Sequence, residues 1–354
     1  MNNKLPSIRT VASLAGVSTA TVSNVLNARR SVAPELAERV RAAVADLGYI
    51  ADLGASRLRS RKSSIAGVVI PDLANPFFGA FVAALEQSAR RDGFDLLIVS
   101  AGDDPAQEAA RLRTLLTWRP AGLIVVPCSN DSGAIDTALA ARVPLVAADR
   151  FPTSSAMDVV AVDNRAAASD VTRHLIAGGR HHILVAAADP SIGNLRERVE
   201  GVRAAAVGDA EIELLQVGHT LAESQARLTE RLTRGLPPDA LFTLNNIATL
   251  GALSALSAAG LRVPHDIALA GFDDEDWMQA VSPPLTAVRQ PVEALGREAW
   301  ARLMARIGGD ESAPQQIRLA CTLEVRESSA PARRSADTTA LGRWAQQTQK
   351  ETHS

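Results

Sequence analysis

The sequence predicts an all-α head followed by a two-lobed α/β body with parallel sheets. Three observations carry this. Short apolar stripes at helical spacing fill residues 1–50, and buried-type strands alternate with helical stretches from Ser63 onward. Charge also divides the chain. Residues 1–62 hold ten basic and four acidic side chains, a net of +6, whereas the remaining 292 residues net −8. A small basic head on an acidic body points to a nucleic-acid-binding module joined to a second module. The 354 residues leave room for two or three domains. With 47% hydrophobic and 21% charged residues, a disordered or fibrous chain is excluded. No run approaches the ~18 apolar residues of a membrane span, and the N-terminal MNNKLPSIRT lacks an apolar segment for export. Cys128 and Cys321 show neither CxxC nor Cys/His spacing, which argues against a disulfide framework or zinc site and fits a reducing cytoplasm.

In the head, Val11, Ala12 and Ala15 form one stripe, and Val22, Val25 and Leu26 form another. Between them, Gly16 can take the positive φ that ends a helix, and Ser18 can cap the next. A third helix starts at Pro34, with Leu36, Val40, Val44 and Leu47 inward and Gly48 as its stop. Three helices in about 40 residues with a tight turn make a helix-turn-helix unit. Ser18, Thr19, Ala20, Thr21, Ser23 and Asn24 line the polar side of the second helix, short enough to approach the floor of a major groove. The pattern alone also allows a three-helix cap with no DNA partner.

The run Ala15-Gly-Val-Ser-Thr-Ala-Thr-Val-Ser23 closely resembles the head of the LacI/GalR family of bacterial repressors. The resemblance continues through Asn75-Pro-Phe-Phe78, Asp163-Asn164, Gly271-Phe-Asp-Asp274, Pro284-Leu-Thr286 and Val325-Arg-Glu-Ser328, covering roughly residues 7–330. It implies that Thr19 and Ala20 read base edges, and that Ser18, Thr21, Asn27 and Tyr49 contact the DNA backbone. Asn24 stands where many members carry Arg, which replaces a guanine fork with a side chain suited to adenine.

Residues 51–62 form a short basic segment, too short for a stable isolated helix. The resemblance implies a hinge helix that folds on DNA, with Leu58 wedged into the minor groove and Arg57 and Arg59 beside phosphates. Gly54 and Ala51-Asp52 depart from the family pattern and weaken that helix.

In the body, ten strands are expected between Ile65 and Arg289, with helices over Phe77–Arg91, Ala106–Thr117, Arg165–Ala177, Arg198–Val207, Glu223–Arg234, Ala248–Ala259 and Val292–Ile307. That is too many strands for one small sheet. The resemblance implies a periplasmic-binding-protein-like fold that crosses between lobes three times, with boundaries near Asp163 and Gln290.

Ligands of open α/β sheets bind beyond the carboxyl ends of strands, where Phe77, Phe78, Asp149 and Asp273 fall. Taken singly, the phenylalanines read as core and the aspartates as turn or loop residues. The resemblance makes Arg198 the ligand-gripping arginine and Asn245, Asp273 and Gln290 polar ligand contacts. Trp277 either stacks on a sugar face or packs within a lobe. Carboxylate, guanidinium and amide groups with an aromatic platform suit a polyhydroxylated effector, a sugar or sugar acid. Asn246, where many members carry Asp, removes one negative charge.

No GxGxxG follows a strand, and none of Lys4, Lys62 and Lys350 lies in a phosphate-binding loop. No catalytic, cofactor or metal set is therefore expected. The tail lacks a leucine heptad, so a homodimer is expected rather than a tetramer. The full expectation is a DNA-binding head (1–50), a hinge (51–62), an effector-binding and dimerisation body (63–330) and a disordered tail (331–354). It describes a cytoplasmic, effector-controlled repressor on a pseudo-palindromic operator. The rivals are a solute-binding transport component and a sugar-processing enzyme.

Overall fold

A computed structural model describes residues 6–27, 31–49, 63–130, 133–151 and 157–331. The chain divides after Ser63 into two compact units. The hinge residues Arg57, Leu58 and Arg59, the segment 332–354 and the side chain of Asn27 lie outside the described residues.

The first unit is built on α1 (Ile8–Ala15), α2 (Thr19–Asn27) and α3 (Pro34–Leu47). Ser7 caps α1 by accepting the Thr10 N–H, and Gly16 ends it at φ 62°, a backbone conformation that strains any side chain. Ser18 Oγ then accepts the Thr21 N–H at 3.1 Å and starts α2. Val11, Ala12, Ala15, Val22, Val40 and Ala43 form the buried centre, with Val44 and Leu47 at its margin. Leu36, expected inward, is only half-buried, because Ala37 takes the buried place beside it.

The second unit holds two sheets. Its strands are β1 (Ile65–Ile70), β2 (Asp95–Ser100), β3 (Gly122–Val125), β4 (Leu145–Ala148), β5 (Asp158–Val162) and β6 (His182–Ala187). They continue as β7 (Glu211–Gln216), β8 (Ala240–Thr243), β9 (Ala268–Phe272), β10 (Thr286–Arg289), β11 (Gln316–Leu319) and β12 (Thr322–Glu324). The first lobe carries the order β11-β5-β4-β3-β1-β2, all parallel; the second carries β12-β10-β9-β8-β6-β7, with β12 antiparallel to β10. β1, β3, β4 and β5 are buried along their whole length. Such strands read as unbroken apolar runs because helices cover both faces of the sheet.

In the first lobe those helices are α4 (Pro76–Arg91), α5 (Pro105–Thr117) and α6 (Gly133–Ala140). In the second they are α7 (Asn164–Ala177), α8 (Gly193–Ala205), α9 (Leu221–Thr233), α10 (Asn246–Ala258) and the short α11 (Trp277–Ala280). The last helix, α12 (Val292–Ile307), returns to the first lobe, where Leu295, Trp300 and Leu303 pack with Phe81 and Leu85 of α4. In the second lobe, α7 and α8 cover one face through Leu175, Leu195 and Val199, and α9 and α10 the other through Leu228 and Leu256.

The chain passes between lobes after β5, after β10, and between β11 and β12. All three crossings lie at the β5/β11 edge of one sheet and the β10/β12 edge of the other, so β2 and β7 are the far edges. The sequence pattern leaves α6, β11 and β12 unannounced, and α8 begins five residues before the expected Arg198. Gln-Ile-Arg-Leu and Thr-Leu-Glu are too short to declare a period, and both sit half-exposed on sheet edges. Gly193 and Asn194 are weak helix formers, which hid the first turn of α8.

Candidate functional site

In the head, the turn between α1 and α2 leaves Thr19 and Ala20 exposed, with Thr21 and Asn24 half-buried beside them. Ser18 and Thr21 are bonded to each other, Oγ to Oγ1 at 2.9 Å, and so fix the first turn of α2. Tyr49 packs partly into the head core. Arg39 of α3 donates to the carbonyl of Ala15 at 2.5 Å, satisfying the carboxyl end of α1 at the turn. The sequence reading did not single out that arginine, because its partner lies 24 residues away. α2 thus presents a row of short polar and small side chains on a packed three-helix base, a shape with the dimensions a major groove admits.

In the body, the two lobes place the same device at the same topological point. Asp149 follows β4 with φ 59°, and Asp273 follows β9 with φ 67°. Aspartate tolerates this left-handed conformation better than most residues, and such strain concentrates at functional sites. Both carboxylates act electrostatically on Arg198, which rises from α8 and is 2% exposed. Its Nε donates to Asn164 Oδ1 at 2.8 Å and its Nη1 to the Leu244 carbonyl at 2.7 Å, while Cζ lies 3.5 Å from the centre of the Phe272 ring. Burial pulls the guanidinium below its ordinary value, and Asp273 and Asp149 oppose that pull.

Around this centre lie Asn75, Phe77, Phe78, Arg150, Asn194, Leu195, Asn245 and Gln290. Asn194 Nδ2 donates to Asp149 Oδ2 at 3.3 Å, and Gln290 Nε2 donates to Asp273 Oδ1 at 2.5 Å. The other oxygens, Asp149 Oδ1 and Gln290 Oε1, are buried with no hydrogen-bond partner. Buried acceptors of this kind are costly and call for donors. Burial pushes the Asp149 carboxyl up to about 6, against the pull of Arg198 and Arg150. The cleft holds about 40 Å³ of free space in this form, room for a few waters and well below the roughly 300–1,000 Å³ of small-molecule sites.

The structure brings Phe77, Phe78, Asp149, Arg198, Asn245, Asp273 and Gln290 to one cleft. Asn245 spends its Oδ1 on capping α10, and the two phenylalanines also belong to the first-lobe core, edge to face with ring centres 5.2 Å apart. Trp277 does not line the cleft; it packs against the α9/α10 face of the second sheet. Asn246 bridges the lobes instead of facing the cleft, donating to Asn75 Oδ1 at 2.9 Å and Glu275 Oε1 at 3.3 Å. Arg150 and Asn194 line the cleft without having been singled out. Arg150 follows a strand-end aspartate, a usable signal; Asn194 lay in the unread first turn of α8.

Among the described residues no helix is long and apolar enough to cross a membrane, and no group of three or more His, Cys, Asp or Glu is placed to hold a metal ion.

Residues 7–52 match the model for bacterial regulatory proteins of the lacI family, and residues 63–327 that for periplasmic binding proteins and the sugar-binding domain of the LacI family. The chain is 32% identical to the HTH-type transcriptional regulator PtxS of Pseudomonas putida, over 92% of this chain and 96% of that protein. Among solved structures it is similar to the lac repressor dimer bound to operator and the anti-inducer ONPF. There the TM-score is 0.81 at 26% identity, covering 92% of this chain and all of that one. It is also similar to a complex of the transcriptional regulator CelR with cellobiose, with a TM-score of 0.69 at 28% identity, covering 91% and 99% of the two chains.

Proposed function

Since the chain belongs to the LacI family of DNA-binding transcriptional regulators, we propose that it is a repressor released from, or retained on, its operator by a small polyhydroxylated effector, a sugar or sugar acid. The observation that carries the effector class is the pair of partnerless buried acceptors, Asp149 Oδ1 and Gln290 Oε1, beside the Arg198 guanidinium. Hydroxyl donors satisfy the first two, and an acceptor oxygen or carboxylate suits the third. Arg150 adds a second cation to the cleft. Regulation works through differential affinity: an effector that binds the closed body better than the open one shifts the population of the form that grips DNA.

On DNA, Thr19, Ala20 and Asn24 face base edges, with Ser18, Thr21, Asn27 and Tyr49 on the backbone and Arg57, Leu58 and Arg59 in the hinge. Two copies on a pseudo-palindromic operator match the two-copy lac repressor assembly to which the chain is similar. The solved CelR complex with cellobiose supports a carbohydrate in the cleft.

A thermal-shift screen of sugars, sugar acids and nucleosides tests the reading, because a ligand of the folded state raises apparent stability by mass action. The expected hit raises the midpoint of the wild-type chain, fails with Arg198→Ala, and changes the gel-shift affinity for operator. Stabilisation by a nucleoside alone, or a hit indifferent to Arg198, refutes it.

A further inference from the structure

The crossings between lobes lie at one edge of both sheets, so opening about them moves the opposite edges most. At that far side the loop after β2 meets the loop after β7 through a charged contact. His219 Nδ1 of the second lobe lies 3.5 Å from Asp103 Oδ2 of the first. Asp103 is also held by both terminal nitrogens of Arg150, at 2.5 and 3.4 Å.

Both loops are rigid mounts. Asp103 sits at φ 55°, its N–H bonded to the Pro71 carbonyl at 3.0 Å. Gly218 precedes the imidazole at φ 82°, where a Cβ would lie 2.7 Å from Glu223 Oε2, and that same oxygen accepts the N–H groups of His219 and Thr220. The other salt bridge between the two lobes among the described residues, Arg318 to Glu197 at 3.2 Å, lies on the crossing side, on β11 and α8.

We propose that Asp103 and His219 form a proton-dependent latch across the mouth of the cleft: the protonated imidazole clasps the carboxylate and holds the lobes closed, and the neutral imidazole releases them. The charges facing His219 are Asp103, Arg150, Asp189 and Glu223. The Asp103 hydrogen bond raises the imidazole above its ordinary value, despite burial and Arg150. Burial alone would raise the Asp103 carboxyl, but His219 and Arg150 outweigh it and hold it well below the usual range. The two partners thus shift in the directions of an ion pair. Its stabilisation of the closed form is complete at low pH and is lost as pH rises through the elevated imidazole value. Arg150 stays on Asp103 in either state, so the carboxylate remains in place when the latch opens. That a latch would slow effector escape rests on the effector reading above; the latch itself does not.

Spin labels at the exposed positions Gln107 and Ala222 flank the latch, one on each lobe. Their separation is measured in the full-length, effector-free protein, with labelled chains diluted in unlabelled ones, at about pH 6.5 and about pH 9. At the lower pH most of the Asp149 carboxyl is ionised, and both variants below retain Asp149, so any share it has in the response appears in them too. The wild-type short-distance population should fall by about half or more at the higher pH. His219→Gln and Asp103→Asn should each show one distribution at both pH values. A wild-type distribution that ignores pH overturns the latch, as does either variant that still follows it. No ligand enters the measurement, so a failed carbohydrate screen leaves the latch standing, and a flat pH response sinks it without touching the effector reading.

Discussion

Replacing Asp149 with Asn should stabilise the effector-free protein while abolishing its response to effector. The carboxyl is buried, raised from 3.8 to about 6, and one of its oxygens has no partner. A difference of that size corresponds to roughly 3 kcal/mol held against the folded state once the group is ionised. The folded carboxyl keeps its proton up to about pH 6, whereas the unfolded one releases it near 3.8. Stability from this group is therefore lost as pH climbs between those values, the reverse of an ordinary ion-paired aspartate. Asparagine mimics the neutral form, accepts the left-handed φ, and can still accept from Asn194. Its amide nitrogen then occupies the partnerless position, which costs about 1–3 kcal/mol. The net gain at neutral pH is thus about 0–2 kcal/mol. A cleaner quantity is the difference between the wild-type and Asp149→Asn unfolding free energies, in which every other titrating group cancels. Measured by urea unfolding, that difference should change by about 2 kcal/mol between pH 4 and pH 7, because the unfolded carboxyl is already half ionised at pH 4. A flat difference would refute the assignment of a strained, ionised Asp149.

Arg198→Ala strips donors from Asn164 Oδ1 and the Leu244 carbonyl and removes the buried cation that acts on both Asp149 and Asp273. It should cost about 3–5 kcal/mol of body stability and remove effector response, while effector-free operator affinity stays close to wild type; a gel-shift loss matching that of Thr19→Ala would show otherwise. Gly201→Ala places a Cβ 2.2 Å from the Arg165 carbonyl oxygen, forcing α7 and α8 apart. The overpacking should lower stability by about 1–3 kcal/mol, read as a fall in melting temperature, and an unchanged melt would mean the helices yield freely. Asn24→Arg should change operator preference rather than weaken binding uniformly, because Arg forks to guanine and Asn to adenine. Selection from randomised sites decides this, and identical preferences for both proteins would confine Asn24 to the backbone.

The head was legible because its signals are local. Gly16, Ser18, Pro34 and Gly48 punctuate helices through their own backbone preferences, and each does so in the structure. The central strands announced themselves as apolar runs, and the aspartates that follow β4 and β9 stood where such sheets bind ligands. A periodic pattern shows which face of an element is buried, but carries nothing about what it is buried against. Only the tertiary structure decided that Trp277 joins a lobe core and that Asn246 bonds Asn75 across 171 residues. The same holds for Arg198, set between two aspartates from different lobes, and for His219 against Asp103. Those juxtapositions depend on where the chain crosses between sheets and on which short edge strands, β11 and β12, complete them. Pairings of that kind are settled by long-range packing and loop closure, whose energies leave no mark on the local spacing of residues.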